Sequence, residues 1–265
     1  MKPPATESDE EDEGLSARWG LILAAVGIVV VRTFVPFGDT ILYPFTLFAT
    51  WVHEMGHGLT GLLVGGSFES LDIFANASGL AHGSVAPGWP RALRAAGGLL
   101  GPPLAGATIL VLARGPRRAR IVLFVLAAVM IASVPIWVRS VTGWIAIPLV
   151  AALLAGLAWR PWPTRHQLGA QLHGVLLGLD TISRIDYLFT GSARVDGRDL
   201  PSDVAHIAEA IGGHYLLWGA LLAILSLALL ALGVRAAWAE TLALRPPWRK
   251  AATRSKSEPR DRSGA

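Results

Sequence analysis

The sequence His-Glu-Met-Gly-His at residues 53–57 contains the side chains best suited to chemistry in this chain. On a helix, His53 and His57 lie one turn apart on the same face, so both imidazoles can bind one zinc ion. Glu54 lies beside them, where its carboxylate can accept a proton from a water molecule that the metal activates. The spacing therefore predicts metal-assisted hydrolysis, with His53 and His57 as metal ligands and Glu54 as the general base.

The motif lies inside an apolar stretch, residues 41–64, rather than in polar sequence. Hydrophobic residues make up 52% of the chain and charged residues 16%, and the mean hydropathy is +0.49. A soluble domain of this length is rarely so apolar. Ionisable residues within a membrane are costly and usually functional. We therefore expect an integral membrane protein whose hydrolytic chemistry takes place within the bilayer.

Seven apolar runs predict an all-α polytopic membrane protein with about seven transmembrane helices, because each run is close to the roughly 20 residues that cross the hydrocarbon. We expect one membrane-embedded domain over residues 18–244, between a disordered acidic tail, 1–17, and a disordered basic tail, 245–265. The apolar runs are 18–36, 41–64, 91–113, 120–139, 141–158, 166–189 and 213–238.

The arginines predict how these helices cross the membrane. Counting seven crossings places the arginines of residues 114–120, Arg160 and Arg165 on the same side as the basic tail. Lys and Arg are enriched in cytoplasmic loops, so we expect a multi-pass protein with a cytoplasmic C-terminal tail. A solvated topological anchor explains the basic tail better than nucleic-acid binding does. The expected surroundings are therefore a lipid bilayer, with no nucleic acid partner.

A catalytic zinc ion usually has three protein ligands, so a third must come from outside the motif. The chain contains no cysteine, which leaves histidine and carboxylate side chains. Asp180 is the favoured candidate, because it lies in the apolar run 166–189 and needs a cationic partner there. Asp180 and His57 also have similar membrane depth if their helices run in the same direction.

Three other residues stay open as the third ligand. His173 shares a helix face with Asp180, whereas Asp186 is expected nearer the membrane interface. Asp203 has a competing explanation, because Ser202 or Asp203 would make a good N-cap for a short amphipathic helix.

The residues that follow the motif helix predict a short β-hairpin. In residues 67–85, Leu71 and Ile73 alternate with Asp72, and the turn-forming sequence Asn-Ala-Ser-Gly follows at 76–79. An irregular loop is the alternative. An exposed strand edge here could hold an extended substrate by strand addition.

A glycine-rich segment, residues 95–106, follows the predicted hairpin. Gly97 and Gly101 form a face of small residues that permits close helix packing. Pro102 and Pro103 interrupt the helical hydrogen bonds, which is tolerable where helices pack together or water enters. We expect this segment to pack beside the zinc motif.

Together, these segments resemble the site-2 protease clan of intramembrane zinc metallopeptidases, and they are most similar to its compact bacterial and plant branch. The likeness covers about 41–110 and 175–210. The matching segments are His53–Gly58, Gly65-Gly66, Ala95–Gly106, Asp180–Arg184, which is similar to the third motif of that branch, and Ser202–Glu209, which is similar to its Ser-Asp-Ala segment.

The resemblance implies a zinc peptidase with two His ligands, an Asp as third ligand and a Glu as base. It implies a membrane protein or peptide substrate cleaved in or near the bilayer, and a bacterial cell membrane as the location. Two other functions are considered, an ion or proton transporter or channel, and a catalytically silent relative that binds membrane proteins. The intact Glu54 favours an enzyme over a silent relative, and the lack of repeated halves disfavours a transporter.

Overall fold

The computed structural model describes residues 26–28, 30–31, 34–183 and 185–243, without the side chains of residues 39, 181–186 and 238–243. Both predicted tails, 1–17 and 245–265, lie outside the described residues, as does most of the first apolar run, 18–36.

The described chain is mostly helical, with two small antiparallel hairpins. This confirms the predicted helical class and the predicted hairpin after the motif helix. The second hairpin was not predicted. The elements are α1 (Gly38–Ile41), α2 (Tyr43–Leu63), β1 (Ser70–Ile73), β2 (Gly79–His82), α3 (Trp89–Leu112), α4 (Pro116–Trp137), α5 (Val141–Trp159), α6 (Pro163–Ser183), α7 (Ile185–Leu188), β3 (Ser192–Val195), β4 (Arg198–Pro201), α8 (Asp203–Ile211) and α9 (Tyr215–Ala243).

Four helices among the described residues are long and apolar enough to cross a membrane: α3, α4, α5 and α9 as far as Ala237. The predicted runs 41–64 and 166–189 do form helices, α2 and α6, but both carry polar side chains that lower their hydropathy. Seven crossings are therefore not confirmed. The two helices that fall short include the helix that carries the histidine motif.

Helix α3 is central, because it packs against α2, α6, α8 and α9. Its contact with α2 depends on glycine. A Cβ on Gly56 would overlap the carbonyl of Gly97, and a Cβ on Gly101 would lie 3.2 Å from the carbonyl oxygen of Val52. The expected packing of the Gly97/Gly101 face beside the zinc motif is thus observed, and it brings α3 close to His53 and His57.

The first hairpin follows the end of α2 at Leu63. Gly65, just after the helix, has a φ of 81°, which glycine adopts readily. The connection between α4 and α5 covers the outer edge of β1. The backbone nitrogen of Arg139 donates to the carbonyl of Leu71 at 3.0 Å, and the nitrogen of Ile73 donates to Ser140 Oγ at 2.8 Å. The other edge of β2 pairs with no strand among the described residues. This edge lies inside the protein, towards α2 and α3.

The second hairpin has the two-residue loop Asp196-Gly197, in which both φ angles are positive, at 47° and 77°. An Asp-Gly pair between two short strands is a strong hairpin signal, because it suits the left-handed conformation that such a turn requires. After β4, the apolar face of α8 packs through Val204 and Ile207 into a cluster that includes Leu99 of α3. This packing fixes the start of α8 close to α2.

Replacing Gly106 of α3 with alanine should destabilise the protein, because the new methyl group would overlap the backbone of α6 at Gly174 and Gly178. Overpacking typically costs about 1–3 kcal/mol, so we expect a lower melting temperature in detergent. The matched control is Gly156→Ala in α5, where a Cβ meets no atom within 4 Å. Equal melting temperatures for the two variants would contradict the close packing of α3 on α6.

Candidate metal centre

Three side chains from two distant parts of the chain converge beside α3. The Nε2 atoms of His53 and His57 lie 3.1 Å apart. The carboxylate of Asp203 contacts both rings, with Oδ2 at 3.2 Å from Nε2 of His53 and Oδ1 at 3.3 Å from Nε2 of His57. Among the described residues, these three form the one group of at least three potential ligands close enough to share a metal ion.

The donor set and its spacing fit a zinc-like metal ion. Ligand atoms at about 2.0–2.1 Å from a tetrahedral zinc ion lie roughly 3.3–3.4 Å from one another. The three separations of 3.1–3.3 Å come within a few tenths of an ångström of this value. Two imidazole nitrogens and one carboxylate oxygen also leave a fourth position open, as in catalytic zinc sites. His53, His57 and Asp203 could therefore hold a metal ion.

The backbone of α3 orients His57. Nδ1 of His57 lies 2.9 Å from the carbonyl oxygen of Arg94, which can only accept a hydrogen bond. Nδ1 must therefore carry the proton, and the lone pair of Nε2 is directed at the shared ligand position. Gly98, one turn further along α3, makes room for this ring, because a Cβ there would overlap its Cε1 and Nε2 atoms. The predicted packing segment thus holds a candidate ligand, His57, in place.

Asp203 is free to act as a ligand because Ser202 performs the capping. Ser202 Oγ accepts from the backbone nitrogen of Ala205 at 3.3 Å and donates to the carbonyl of Thr190 at 2.6 Å. Asp203 is the first residue of α8, and its side chain points at the histidines. Burial alone would raise the pKa of Asp203, but when the histidines are protonated instead of metal-bound, the charge of His57 and hydrogen bonds from both rings outweigh burial and hold this pKa well below its usual range.

Tyr187 of α7 supports the carboxylate from the other side. Its phenol donates a hydrogen bond to Oδ2 of Asp203 at 3.1 Å, the same oxygen that faces His53. Its ring also meets the ring of His53 edge-on, with centroids 6.5 Å apart. Tyr187 was not predicted from the sequence, since a single tyrosine in a short helix forms no motif that indicates a site residue. Such outer contacts orient ligands and tune metal affinity.

Glu54 lies next to the ligands but outside their group. Its side chain is buried and lies against β2, where a Cβ on Gly79 would come within 2.6 Å of its Cγ atom and 2.8 Å of Oε1. Glu54, His53 and His57 all line one cleft of about 320 Å³, together with Asp203. The carboxylate of Glu54 is therefore available to a molecule in the cleft beside the candidate metal position.

The two hairpins form opposite walls of this cleft. Residues 79–81 of β2 line one side, and Ala193, Val195, Leu200 and Pro201 of the second hairpin line the other. The hairpins meet at their tips, where the backbone nitrogen of Asp196 donates to Ser78 Oγ at 3.4 Å. The candidate metal ligands thus lie in a cleft lined by strands rather than in open solvent.

Asp180, the predicted third ligand, does not belong to the three-residue group. It is buried on α6 and lines a neighbouring cavity of about 150 Å³ with Thr50, His53 and Glu54. The similar depth of Asp180 and His57 does not fix which way α6 faces, and the structure brings Asp203 to the two histidine Nε2 atoms instead.

Of the other candidates, His173 packs against Phe45 and Phe48, and its Nδ1 donates to the carbonyl of Gly169 at 2.7 Å. The side chain of Asp186 lies outside the described structure. Asp203 was considered from the sequence but explained as a cap. The adjacent Ser202 was the signal in its favour, because one of two neighbouring cap-forming residues can cap while the other is left for a different role.

A family model described as Peptidase M50B-like matches residues 20–233, which include both histidines of the motif and Asp203. A search of curated proteins and a search of solved structures found no match. The family is one of metallopeptidases, in agreement with a candidate His-His-Asp metal site and with four helices that are apolar enough to cross a membrane. The chain is therefore an integral membrane protein of the Peptidase M50B-like family, which is site-2 protease-like.

Proposed function

We propose that this protein is an intramembrane zinc metalloprotease that hydrolyses a peptide bond of a membrane protein substrate in or near the bilayer. The observation that carries the proposal is the convergence of three ligand atoms, from His53, His57 and Asp203, in a cleft that also contains the carboxylate of Glu54. Membership of the M50B-like family supports the same reaction.

Each residue of the proposed site has a separate role. His53, His57 and Asp203 hold the zinc ion, with His57 fixed by the carbonyl of Arg94. Bound zinc supplies Lewis-acid polarisation of the scissile carbonyl and makes water a stronger nucleophile near neutral pH. Glu54 accepts the proton of the attacking water and passes it to the nitrogen of the leaving amine, so that the amine departs neutral as the C–N bond breaks.

The strands around the cleft suit an extended substrate. In an antiparallel pair, alternate residues direct their backbone groups to the outer edge, and in β2 these are Gly79 and Ala81. The guanidinium of Arg94 already donates to the Ala81 carbonyl at 2.7 Å. Gly79, which lies against Glu54, is thus the position of β2 at which a substrate backbone can pair closest to the proposed general base.

The proposed orientation places the C-terminal tail in the cytoplasm, because the arginines that follow α3 and α5 would then lie on the cytoplasmic side. A bacterial cell membrane as the location is proposed from the likeness to the compact branch of the clan.

Asp203→Asn should strongly reduce zinc retention, because an amide oxygen has no charge with which to balance the ion. The purified wild-type protein should hold about one zinc ion per chain, and a His53→Ala, His57→Ala double variant should hold none. The matched control is Asp180→Asn, which alters a buried carboxylate of the neighbouring cavity. Metal analysis measures all four proteins. Loss of zinc from Asp180→Asn but not from Asp203→Asn would restore Asp180 as the third ligand.

Glu54→Gln should keep its zinc but lose hydrolysis, because an amide cannot accept the proton of the attacking water. General-base catalysis typically contributes about 10²–10⁴-fold to the rate. The measurement is cleavage of a panel of fluorogenic single-span substrates in reconstituted membranes, with zinc quantified in the same samples. Wild-type protein that holds zinc but cleaves no substrate of a broad panel would contradict the protease. Loss of zinc in the variant would instead give Glu54 a role in metal binding.

Tyr187→Phe should weaken zinc binding while leaving the fold intact, because it removes only the hydroxyl that orients Asp203. Removing such an outer contact typically lowers metal affinity about 10–100-fold. Chelator competition measures the affinity, and the absorption spectrum of a cobalt-substituted sample reports the ligand geometry. Tyr43→Phe is the control, since it removes a phenol hydrogen bond to the carbonyl of Ala75, away from the site. Equal zinc affinities in the two variants would argue against this role for Tyr187.

A further inference from the structure

One end of the helical domain carries a group of arginines. The chain contains no Asp or Glu between Asp72 and Asp180, and the arginines lie where α3 and α5 end and where α4 and α6 begin. Five of them form no ion pair with a carboxylate in the described part of the chain. All five are exposed: Arg117, Arg118, Arg120, Arg160 and Arg165.

Three of these arginines meet at one turn, between α5 and α6. The guanidinium carbons of Arg160 and Arg165 lie 5.7 Å and 4.2 Å from the centre of the Trp162 ring. Arg120 of α4 reaches the same turn, because its Nε donates to the carbonyl of Ala158 at 3.0 Å. Two positive charges thus lie over one exposed indole, and a third lies at the last turn of the helix that precedes it, where the Arg120 guanidinium also faces the Phe124 ring at 5.6 Å.

The turn itself is held by hydrogen bonds rather than by its charges. The buried His166 donates from Nε2 to the carbonyl of Arg160 at 2.7 Å, and the backbone nitrogen of Trp162 donates to the same carbonyl at 2.9 Å. These hydrogen bonds fix the backbone from which Arg160 and Arg165 extend to the Trp162 ring.

The connection at the other end of α4 and α5 is different. Its arginine, Arg139, donates to the backbone carbonyls of Val138 and Ile136 at 2.8 Å and 2.9 Å. The guanidinium there caps the end of α4. This end of the helix pair carries one arginine, whereas the other end carries Arg160 and Arg165 at the Trp162 ring and Arg120 beside them, so the two ends differ in the number of positive charges they present.

We propose that Arg120, Arg160, Arg165 and Trp162 form a binding site for the phosphate of an anionic phospholipid. Helices α4 and α5 are apolar enough to span the bilayer, so their ends lie at headgroup level, where Trp is favoured. Guanidinium groups bind phosphate oxygens through paired hydrogen bonds, and basic pockets between membrane helices bind anionic headgroups. The site lies apart from the metal centre and does not depend on the proposed peptidase activity.

Native mass spectrometry of the full-length protein in detergent tests this site, by titration with phosphatidylglycerol or phosphatidylcholine of identical acyl chains at low ionic strength. Wild-type protein should bind phosphatidylglycerol at least about tenfold more tightly. Arg160→Gln with Arg165→Gln should lower that affinity about 25-fold, at about fivefold for each arginine. Arg160→Lys with Arg165→Lys should lower it less than the glutamine pair does, because the charge remains while the paired hydrogen bonds of the guanidinium groups are lost.

Arg194→Gln with Arg198→Gln is the matched control, since it removes two positive charges from the exposed second hairpin. Equal binding of the two lipids to wild-type protein would overturn the proposal, and so would an equal loss of affinity in the control.

Glycerol 3-phosphate supplies the same phosphate without acyl chains. Displacement of phosphatidylglycerol by glycerol 3-phosphate at equal concentration would mean that the site binds free phosphate. An unchanged melting temperature in detergent, measured for every variant, shows that the fold is kept.

Discussion

The arrangement of the site depends on one electrostatic constraint, the close approach of three lone-pair donors. The two imidazole nitrogens lie 3.1 Å apart, and each lies within 3.3 Å of one of the two oxygens of the Asp203 carboxylate. Lone pairs held this close repel unless a proton or a metal ion lies between them. Helix packing brings these groups together. Helix α2 supplies His53 and His57, and α3 fixes the orientation of His57. Helix α8, much later in the chain, supplies Asp203.

Glycines, which have no side chain, do much of this positioning. In the central helix α3, Gly97 and Gly101 allow a close approach to α2, and Gly98 leaves the space that His57 occupies. In β2, Gly79 leaves the space for Glu54. Each glycine thus determines where a neighbouring functional side chain can lie. A methyl group at Gly98 would displace a ligand directly, so part of the information that specifies the site is carried by residues with no functional group.

The sequence was informative where the signal is local. His53, Glu54 and His57 share one helical turn, and the first hairpin follows from alternation and turn residues, so both could be recognised without tertiary structure. The third ligand could not be chosen in this way. The constant rise of a helix gives the depth of Asp180 in the membrane. The direction in which its side chain points depends on the rotation of α6 about its own axis, and contacts with α3 such as that of Gly106 with Gly174 set this rotation. The second hairpin was missed although Asp196-Gly197 is a strong local signal.

The hydrogen bonds of Ser202 have a consequence for how this protein can diversify. Ser202 donates from Oγ to the carbonyl of Thr190 and from its backbone nitrogen to the carbonyl of Gly191, which closes the base of the second hairpin beside Asp203. The two ends of the hairpin are therefore held together just before Asp203. The position of Asp203 depends on this closure and on the packing of α8, so a change within the strands or the turn of the hairpin would alter the wall of the cleft and leave the start of α8 in place.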